Sequence, residues 1–428
     1  MKLFQQMLVA TTASVSLIAP LCAQATDINI EGMNEYSRSK SSKKQKFNSK
    51  TFANELANTN SRVDAIDAQF NDFQAGSFSD TTTLGGKAVS VLGAIDGNDE
   101  LGDTEAVTHA YVYSMDLNTS FTGDDNLYVR LKTGDGWDAW GSKPGNYHIE
   151  AKDNSDEMKV DKVWYTFPIG ESFTATIGPK IENYYMLAAA PSVYKPGIFK
   201  GFKLGGHGVA FGASTSTGAG LTYKNDNGFA VSTTFNSKEA TTTNGLFTEE
   251  DKNKVNTQVA YTKDNYHISA TYSMQNSWNS WSYYSTNDLN ASAGDSGVSA
   301  DGLALRAWWR PEETGTVTPS ISVGYDTISL SGTTDVKEGS GYFIGLNWAD
   351  MFQPSDKIGF AIGQPMKATE AASGATLSEV DPLMWEAYYS FRPNDSIEIT
   401  PGIFGATDVE NDVDEDVFGV ALKTIFKF

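Results

Sequence analysis

The side chains that carry most enzyme chemistry are few in this sequence and set far apart. The four histidines, His109, His148, His207 and His267, have no second histidine three to five positions away, and the single cysteine, Cys22, falls near the N-terminus. No Cys/His set with zinc spacing follows from these positions. The motifs G-x-S-x-G, H-E-x-x-H and a Gly-Lys-Ser phosphate loop are missing from the sequence, which removes the common hydrolase and nucleotide-binding frameworks. We expect no catalytic residues, no metal and no cofactor. Two acidic clusters stand out: Asp96, Asp99, Glu100, Asp103 and Glu105, and Asp408, Glu410, Asp412, Asp414, Glu415 and Asp416. Their Asp-x-Asp spacing suits a divalent cation bridging loops, but the glycine and terminal glutamate of an EF-hand are missing, so a solvated, cation-attracting surface is the default.

The informative charges occupy every second position. Tyr128, Arg130 and Lys132 alternate with Leu127, Val129 and Leu131; Arg306, Trp308 and Arg310 alternate with Leu305, Ala307 and Trp309; Gly419, Ala421, Lys423 and Lys427 alternate with Phe418, Val420, Leu422, Phe426 and Phe428. A period of two is the strand period, with one face apolar and the other charged. Projected through the chain, the charged face collects Arg130, Lys132, Lys162, Arg306, Arg310, Arg392, Lys423 and Lys427, with Asp116, Asp326, Glu386 and Glu398 as its acids. If the apolar face meets lipid, these charges must line a lumen, because one basic side chain at the bilayer midplane costs about 2–4 kcal/mol. They serve either as a ladder of paired charges or as an electrostatic filter. The longest connection, 181–217, contains Tyr184, Tyr185, Tyr194, Lys195, Phe199, Lys200 and Lys203. It is the candidate for a constriction folded into the mouth; an outward loop is the rival.

Positioning such residues takes a large β-structure. The 428 residues include 39 Gly, 23 Phe, 19 Tyr and 9 Trp but only 13 Pro, a turn-rich, aromatic composition that suits strands. The formal charge of −21 argues against binding nucleic acid. Sixteen segments fit strands, near 81–94, 106–122, 125–134, 160–168, 173–180, 218–224, 228–237, 254–262, 266–274, 301–310, 317–328, 340–349, 357–364, 383–392, 396–405 and 417–428. Tight connections such as Asn225-Asp226-Asn227 and Lys263-Asp264-Asn265 alternate with long ones at 135–159, 181–217, 238–253, 275–300 and 365–382. Short turns at one end and long loops at the other indicate an all-β, sixteen-stranded antiparallel transmembrane β-barrel. A soluble sandwich would not explain that asymmetry. Nor would it explain aromatic pairs such as Tyr111 with Tyr113 and Trp385 with Tyr389, which a barrel uses as interfacial girdles.

Residues 1–25 read as a cleaved export signal: Lys2, an apolar run through Ile18, and Ala23-Gln24-Ala25. Residues 26–50 read as a linker, basic between Arg38 and Lys50. Residues 51–75 read as a helix whose seam, Phe52, Leu56, Thr59, Val63, Ile66, Phe70 and Phe73, repeats at coiled-coil spacing. The barrel follows from 76 to 428. An even strand number returns the chain to its starting side, so the helix is expected in the periplasm, as a parallel coiled coil of a homotrimer.

The chain ends in Thr424-Ile425-Phe426-Lys427-Phe428, with Phe426 and Phe428 two apart. This resembles the C-terminal assembly signal of bacterial outer-membrane proteins. Together with Val63-Asp64-Ala65-Ile66-Asp67-Ala68-Gln69-Phe70 and Phe78-Ser79-Asp80-Thr81-Thr82-Thr83-Leu84-Gly85-Gly86-Lys87-Ala88, it makes the sequence similar to the cyanobacterial major outer-membrane porins related to carbohydrate-selective porins. The resemblance implies a Gram-negative outer membrane, lipid around the barrel, and passive diffusion of small hydrophilic solutes and ions, small sugars or inorganic nutrients among them. Larger members carry an S-layer-homology domain that implies attachment to a wall polymer. Here only the basic stretch 38–50 offers contact with an anionic polymer. The alternatives are a link between membrane and wall, and a barrel hydrolase. Known barrel enzymes are small and filled, whereas sixteen strands enclose a channel.

Overall fold

The computed structural model describes residues 81–97, 106–136, 149–152, 154–280, 283–408 and 416–428. The expected leader, linker and helix lie outside the described residues, as do His148 and most of the two acidic clusters. The chain from Ser77 onward forms one compact unit. Its strands are β1 Thr82–Asp96, β2 Thr108–Thr119, β3 Asn126–Asp135, β4 Lys159–Ile169, β5 Phe173–Ile181 and β6 Ser216–Lys224. They continue as β7 Phe229–Ser237, β8 Asn253–Thr262, β9 Tyr266–Asn276, β10 Ser299–Trp309 and β11 Ser320–Ser331. The last five are β12 Val336–Ala349, β13 Lys357–Ala371, β14 Leu383–Asn394, β15 Ile397–Thr407 and β16 Val417–Lys427. Every strand pairs antiparallel with its sequence neighbours, and β1 pairs with β16 to close the barrel.

All sixteen expected strands are present. The largest boundary differences are in the β12–β13 hairpin, which begins four residues earlier and ends seven later than the alternation indicated. Its extension carries register shifts between Val336 and Tyr342, and a bulge breaks the period of two that marks a strand in sequence. The connection between β11 and β12, residues 332–335, is short although it lies at the long-loop end.

The burial pattern is inverted relative to a soluble protein. On β9 the inward His267, Ser269, Thr271, Ser273 and Gln275 are buried, while the outward Ile268 is 61% exposed. On β10 Ala304, Arg306 and Trp308 are buried between the exposed Leu303, Leu305 and Trp309. Burying one large apolar side chain is worth about 1.5–3 kcal/mol, and a belt of them left outward makes sense only in hydrocarbon. At the short-turn end the outward rings form pairs: Tyr165 with Phe167, Phe173 with Tyr223, Tyr261 with Tyr266, and Tyr389 with Phe391. They mark a membrane–water interface.

Two turns at this end share one design. Asp125 accepts hydrogen bonds from Ser120 Oγ, the backbone N–H groups of Phe121 and Thr122, and the Tyr165 hydroxyl. Asp356 accepts from the N–H groups of Met351, Phe352 and Gln353 and from the Tyr389 hydroxyl. The Tyr165 hydrogen bond, joined by the turn N–H groups, holds the Asp125 carboxyl well below the usual carboxylate range. Barrel closure is completed nearby. Gly86 and Phe428 exchange backbone hydrogen bonds of 3.0 and 3.2 Å, and the Phe428 ring stacks on Tyr113 with centroids 5.6 Å apart. A Cβ on Gly86 would lie 2.7 Å from that ring. Glycine is what seats the terminal aromatic.

Candidate functional site: a divided lumen

The connection from β5 to β6 runs into the barrel and is bound there by inward side chains of six strands. Glu386 on β14 accepts hydrogen bonds from the Tyr194 hydroxyl at 2.7 Å and from the backbone N–H groups of Gly197, Ile198 and Phe199 at 3.0, 2.9 and 2.7 Å. Ser322 Oγ on β11 accepts from Val193 and Tyr194, and Asn347 on β12 from Lys195. Trp308 Nε1 on β10 donates to the Ala190 carbonyl. On β8, Lys254 Nζ donates to the carbonyls of Val209 and Gly212 at 2.7 and 2.8 Å, and Asn256 to Ala210 at 2.8 Å. Ser232 on β7 accepts from the Ala188 N–H. Along this stretch of wall, inward polar residues thus meet backbone groups that would otherwise be buried without a partner.

The loop carries its own apolar side chains inward. Phe199 and Phe202 pack with Tyr284, Phe343 and Phe404, and Val209 and Phe211 pack with Trp278 and Leu289, the latter on helix α1, Asn287–Gly294. Where these side chains meet, the lumen along β7 to β15 is packed, and a cavity of about 670 Å³ remains beside the β8–β9 turn, lined by Lys195, Asp226, Trp308 and Arg310 among others. Period-two reasoning assigns no apolar core inside a porin-like barrel. The sequence signal that marks it is the unbroken apolar run Tyr342-Phe343-Ile344, in which the central ring cannot face lipid with its neighbours.

Several residues expected to line a channel are sealed beneath this loop. Arg306 is 2% exposed; it donates to Asp326 at 2.7 Å and to the carbonyls of Leu204 and Gly206 at 3.0 and 2.8 Å. Glu386 is fully buried by its bonds to the loop. Both point inward, but they are bonded to the loop, which covers them, and strand alternation carries no signal of that covering. Arg310 lies one residue beyond β10, exposed, with Nε on the Asp264 carbonyl of the β8–β9 turn. Arg392 and Lys427 share Glu398 at 3.0 and 3.3 Å, a closed charge set beside the β14–β15 turn. Lys423 is a partly buried inward residue opposite Thr400. Lys195 is exposed at the short-turn side, in a cavity shared with Arg310 and Asp226.

Beside Lys87 of β1, Ser114 of β2 and the inward faces of β3 and β4 the lumen keeps a polar cavity. A cavity of about 430 Å³ is lined by Lys87 of β1, Ser114 of β2, Arg130 and Lys132 of β3, Asp161 and Lys162 of β4, and Glu182, Tyr184, Tyr185, Lys200 and Lys203 of the loop. Glu150, Lys152 and Tyr283 complete it. Arg130 pairs with Asp116 at 2.7 Å and Lys162 with Glu182 at 2.9 Å. Six rings run in sequence beside these charges: Tyr128, Trp164, Tyr185, Tyr184, His207 and Tyr283, with successive centroids 4.1, 4.8, 4.7, 5.6 and 5.7 Å apart. Burial drives His207 down to about 3, so the imidazole is neutral at pH 7. Burial alone would raise the Glu150 carboxyl; Lys200, Lys203, Lys132 and Lys87 overcome it and hold the group well below its ordinary value.

The sequence reading placed Arg130, Lys132, Lys162, Tyr184, Tyr185 and Lys200 among the lining and constriction residues, and the structure gathers these six around one cavity. It missed Lys87, Glu150, Glu182 and Tyr283. Lys87 was hidden because the inward face of β1 continues as Val89, Val91 and Ile95, all buried, so the alternation there offers no contrast of polarity.

The sequence pattern of the carbohydrate-selective porin, OprB family, matches residues 41–428. An uncharacterized protein of Nostoc sp., alr4550, is 26% identical over 419 residues, covering 88% of this chain and 70% of its own. An uncharacterized protein of Synechocystis sp., sll0772, is 22% identical over 398 residues, covering 82% and 70%. The solved structure of Pseudomonas putida OprB superposes with a TM-score of 0.54 at 11% identity, covering 81% of this chain and 94% of that one, a likeness of fold. With the pattern spanning the whole described barrel, the chain belongs to the OprB family of carbohydrate-selective porins.

Proposed function

We propose that this outer-membrane porin, a passive diffusion channel, passes small hydrophilic solutes along one side of its lumen, between the β1–β4 wall and the inward loop. The observation that carries the reading is the polar cavity there, lined by charges and aromatic rings, set against the apolar core that the loop builds with β11, β12 and β15. Its aromatic rings offer faces to the apolar side of a sugar, and its ammonium and hydroxyl groups donate to sugar hydroxyls and to anions. Arg130 and Lys132 act on solutes, whereas Lys162, 3% exposed and paired with Glu182, joins Arg306 and Glu386 in keeping the loop in place. Acidic loops outside concentrate cations within about one Debye length, roughly 8 Å at physiological salt, while the basic interior favours anions. Selectivity then drifts toward anions as salt screens the loops.

The same reading extends to the segment before residue 76. Residues 1–25 serve as the leader, 26–50 as a basic linker able to touch an anionic wall polymer, and 51–75 as a periplasmic coiled coil joining three chains. It is supported by strand parity, since β1 begins and β16 ends at the short-turn end. In planar bilayers the full-length protein is expected to give discrete conductance steps, and in liposomes to admit monosaccharides faster than longer oligosaccharides. A barrel that inserts without steps would overturn the channel.

A further inference from the structure

The cavity's charges do not balance locally. Arg130 is committed to Asp116, and Lys162 to Glu182 and Asp161. Lys87, Lys132, Lys200 and Lys203 act together on one partly buried carboxylate, Glu150. Lys203 stands 3.9 Å from it. A second observation is independent of charge. Ser114 is 2% exposed, lines the same cavity, and its Oγ has no hydrogen-bond partner. A buried hydroxyl without a partner calls for an explanation, and this one belongs to a residue lining the basic cavity.

Strand register brings the two observations together. Lys87 on β1 is directly opposite Ser114 on β2, and Ser114 is directly opposite Lys132 on β3. All three occupy inward positions at one level of the wall. The two ammonium-bearing strands are two strand spacings apart, about 9–10 Å, with the serine hydroxyl between them. The loop lysines Lys200 and Lys203 face this row across the cavity. A neutral sugar would satisfy the hydroxyl and leave the ammonium groups unbalanced. A tetrahedral dianion accepts from the hydroxyl and from an ammonium on either side at once, and charge-assisted bonds of this kind are the strong ones.

We propose that Lys87, Ser114 and Lys132 form a binding subsite for a small dianionic oxyanion of the phosphate or sulfate type, so that such solutes cross by a saturable step. The proposal rests on the reading that solutes pass along this side of the lumen. The oxyanion is either a free ion or the phosphoryl group of a larger solute.

The test uses the full-length protein in planar bilayers with potassium chloride, titrated with sodium phosphate at constant ionic strength. Chloride current is expected to fall along a saturating curve. Lys87→Gln combined with Lys132→Gln should raise the half-blocking concentration at least tenfold, and Ser114→Ala severalfold. Lys337→Gln, in an exposed pair between β12 and Glu370 of β13, should leave it unchanged. Glucose 6-phosphate and glucose distinguish the sources. Block by phosphate alone assigns the free ion, and equal block by glucose 6-phosphate with none by glucose assigns the phosphoryl group. Loss of conductance steps in every sample would sink the channel reading itself. Normal steps with no phosphate block, or a block unchanged in the double lysine variant, would overturn the subsite and leave the channel standing.

Discussion

Along β3 and β4 and along β8 to β11 the barrel wall is of one kind, inward polar residues at every second position, yet the first stretch borders a polar cavity and the second is covered by the inward loop. The difference comes from what meets the wall. Along β8, inward Lys254, Asn256 and Gln258 receive loop carbonyls, and the space left is closed by Phe199, Phe202, Val209 and Phe211. Along β3 and β4 the wall presents Arg130, Lys132 and Lys162, and the facing loop presents Tyr184, Tyr185, Lys200 and Lys203. Like charges facing one another across a partly desolvated gap resist collapse. Lumen diameter is therefore set by loop chemistry and only secondarily by strand number.

Glu386 is the point at which this contrast breaks most easily. Glu386→Ala removes the acceptor for three backbone N–H groups and the Tyr194 hydroxyl, and each buried group left unsatisfied costs about 1–3 kcal/mol. We expect the loop to leave its seat and single-channel conductance to rise severalfold, with Glu386→Gln giving an intermediate rise because its amide oxygen still accepts. Next comes Arg306→Ala, which leaves the Asp326 carboxylate and two loop carbonyls buried without a donor. A broken buried pair costs about 3–5 kcal/mol, to be read as a lower thermal unfolding midpoint. On the cavity side, Arg130→Ala with Lys162→Ala is expected to move reversal potentials toward cations; Arg130 and Asp116 are partly exposed, whereas Lys162 is 3% exposed, so its loss also lowers the unfolding midpoint. If Arg306→Ala shifted selectivity more than the Arg130/Lys162 pair, the division of labour would be reversed.

The barrel was legible because lipid demands apolar side chains at outward positions. The alternation in Leu127 to Lys132 and in Phe418 to Lys427 therefore survives in the linear sequence and fixed the strands, their parity and the closing Phe428. The cavity was legible in part. Arg130, Lys132, Lys162, Tyr184 and Lys200 belong to segments already singled out, but which inward charges meet solute depends on where a connection of some thirty residues crosses the lumen. Strand period carries no information on that path. Arg306 and Arg130 are equivalent in sequence pattern and differ only in what lies over them.

Two smaller effects sharpen the account of the wall itself. Gly86→Ala would place a methyl 2.7 Å from the Phe428 ring and 2.3 Å from the Ser114 carbonyl. Overpacking of this kind costs about 1–3 kcal/mol, and slower conversion to the heat-modifiable folded form on gels should report it. The smallest effect is acid sensitivity at the β2–β3 turn. The Asp125 carboxyl is depressed in the folded chain, so its stabilising contribution is present above the unfolded value, about 3.9, and is lost as pH falls below it. Asp125→Asn should flatten the dependence of unfolding on pH below about 4 and change nothing near neutrality.

The central claim, that solute passes on the β1–β4 side alone, is tested most directly by thiol modification in the open channel. No cysteine follows Cys22, so single cysteines can be placed at Lys132, in the cavity, and at Thr271, fully buried on β9. A charged thiosulfonate added during recording should reduce the current of Lys132→Cys within seconds to minutes and leave that of Thr271→Cys unchanged. Rapid modification and block at Thr271→Cys, with Lys132→Cys unaffected, would contradict the account.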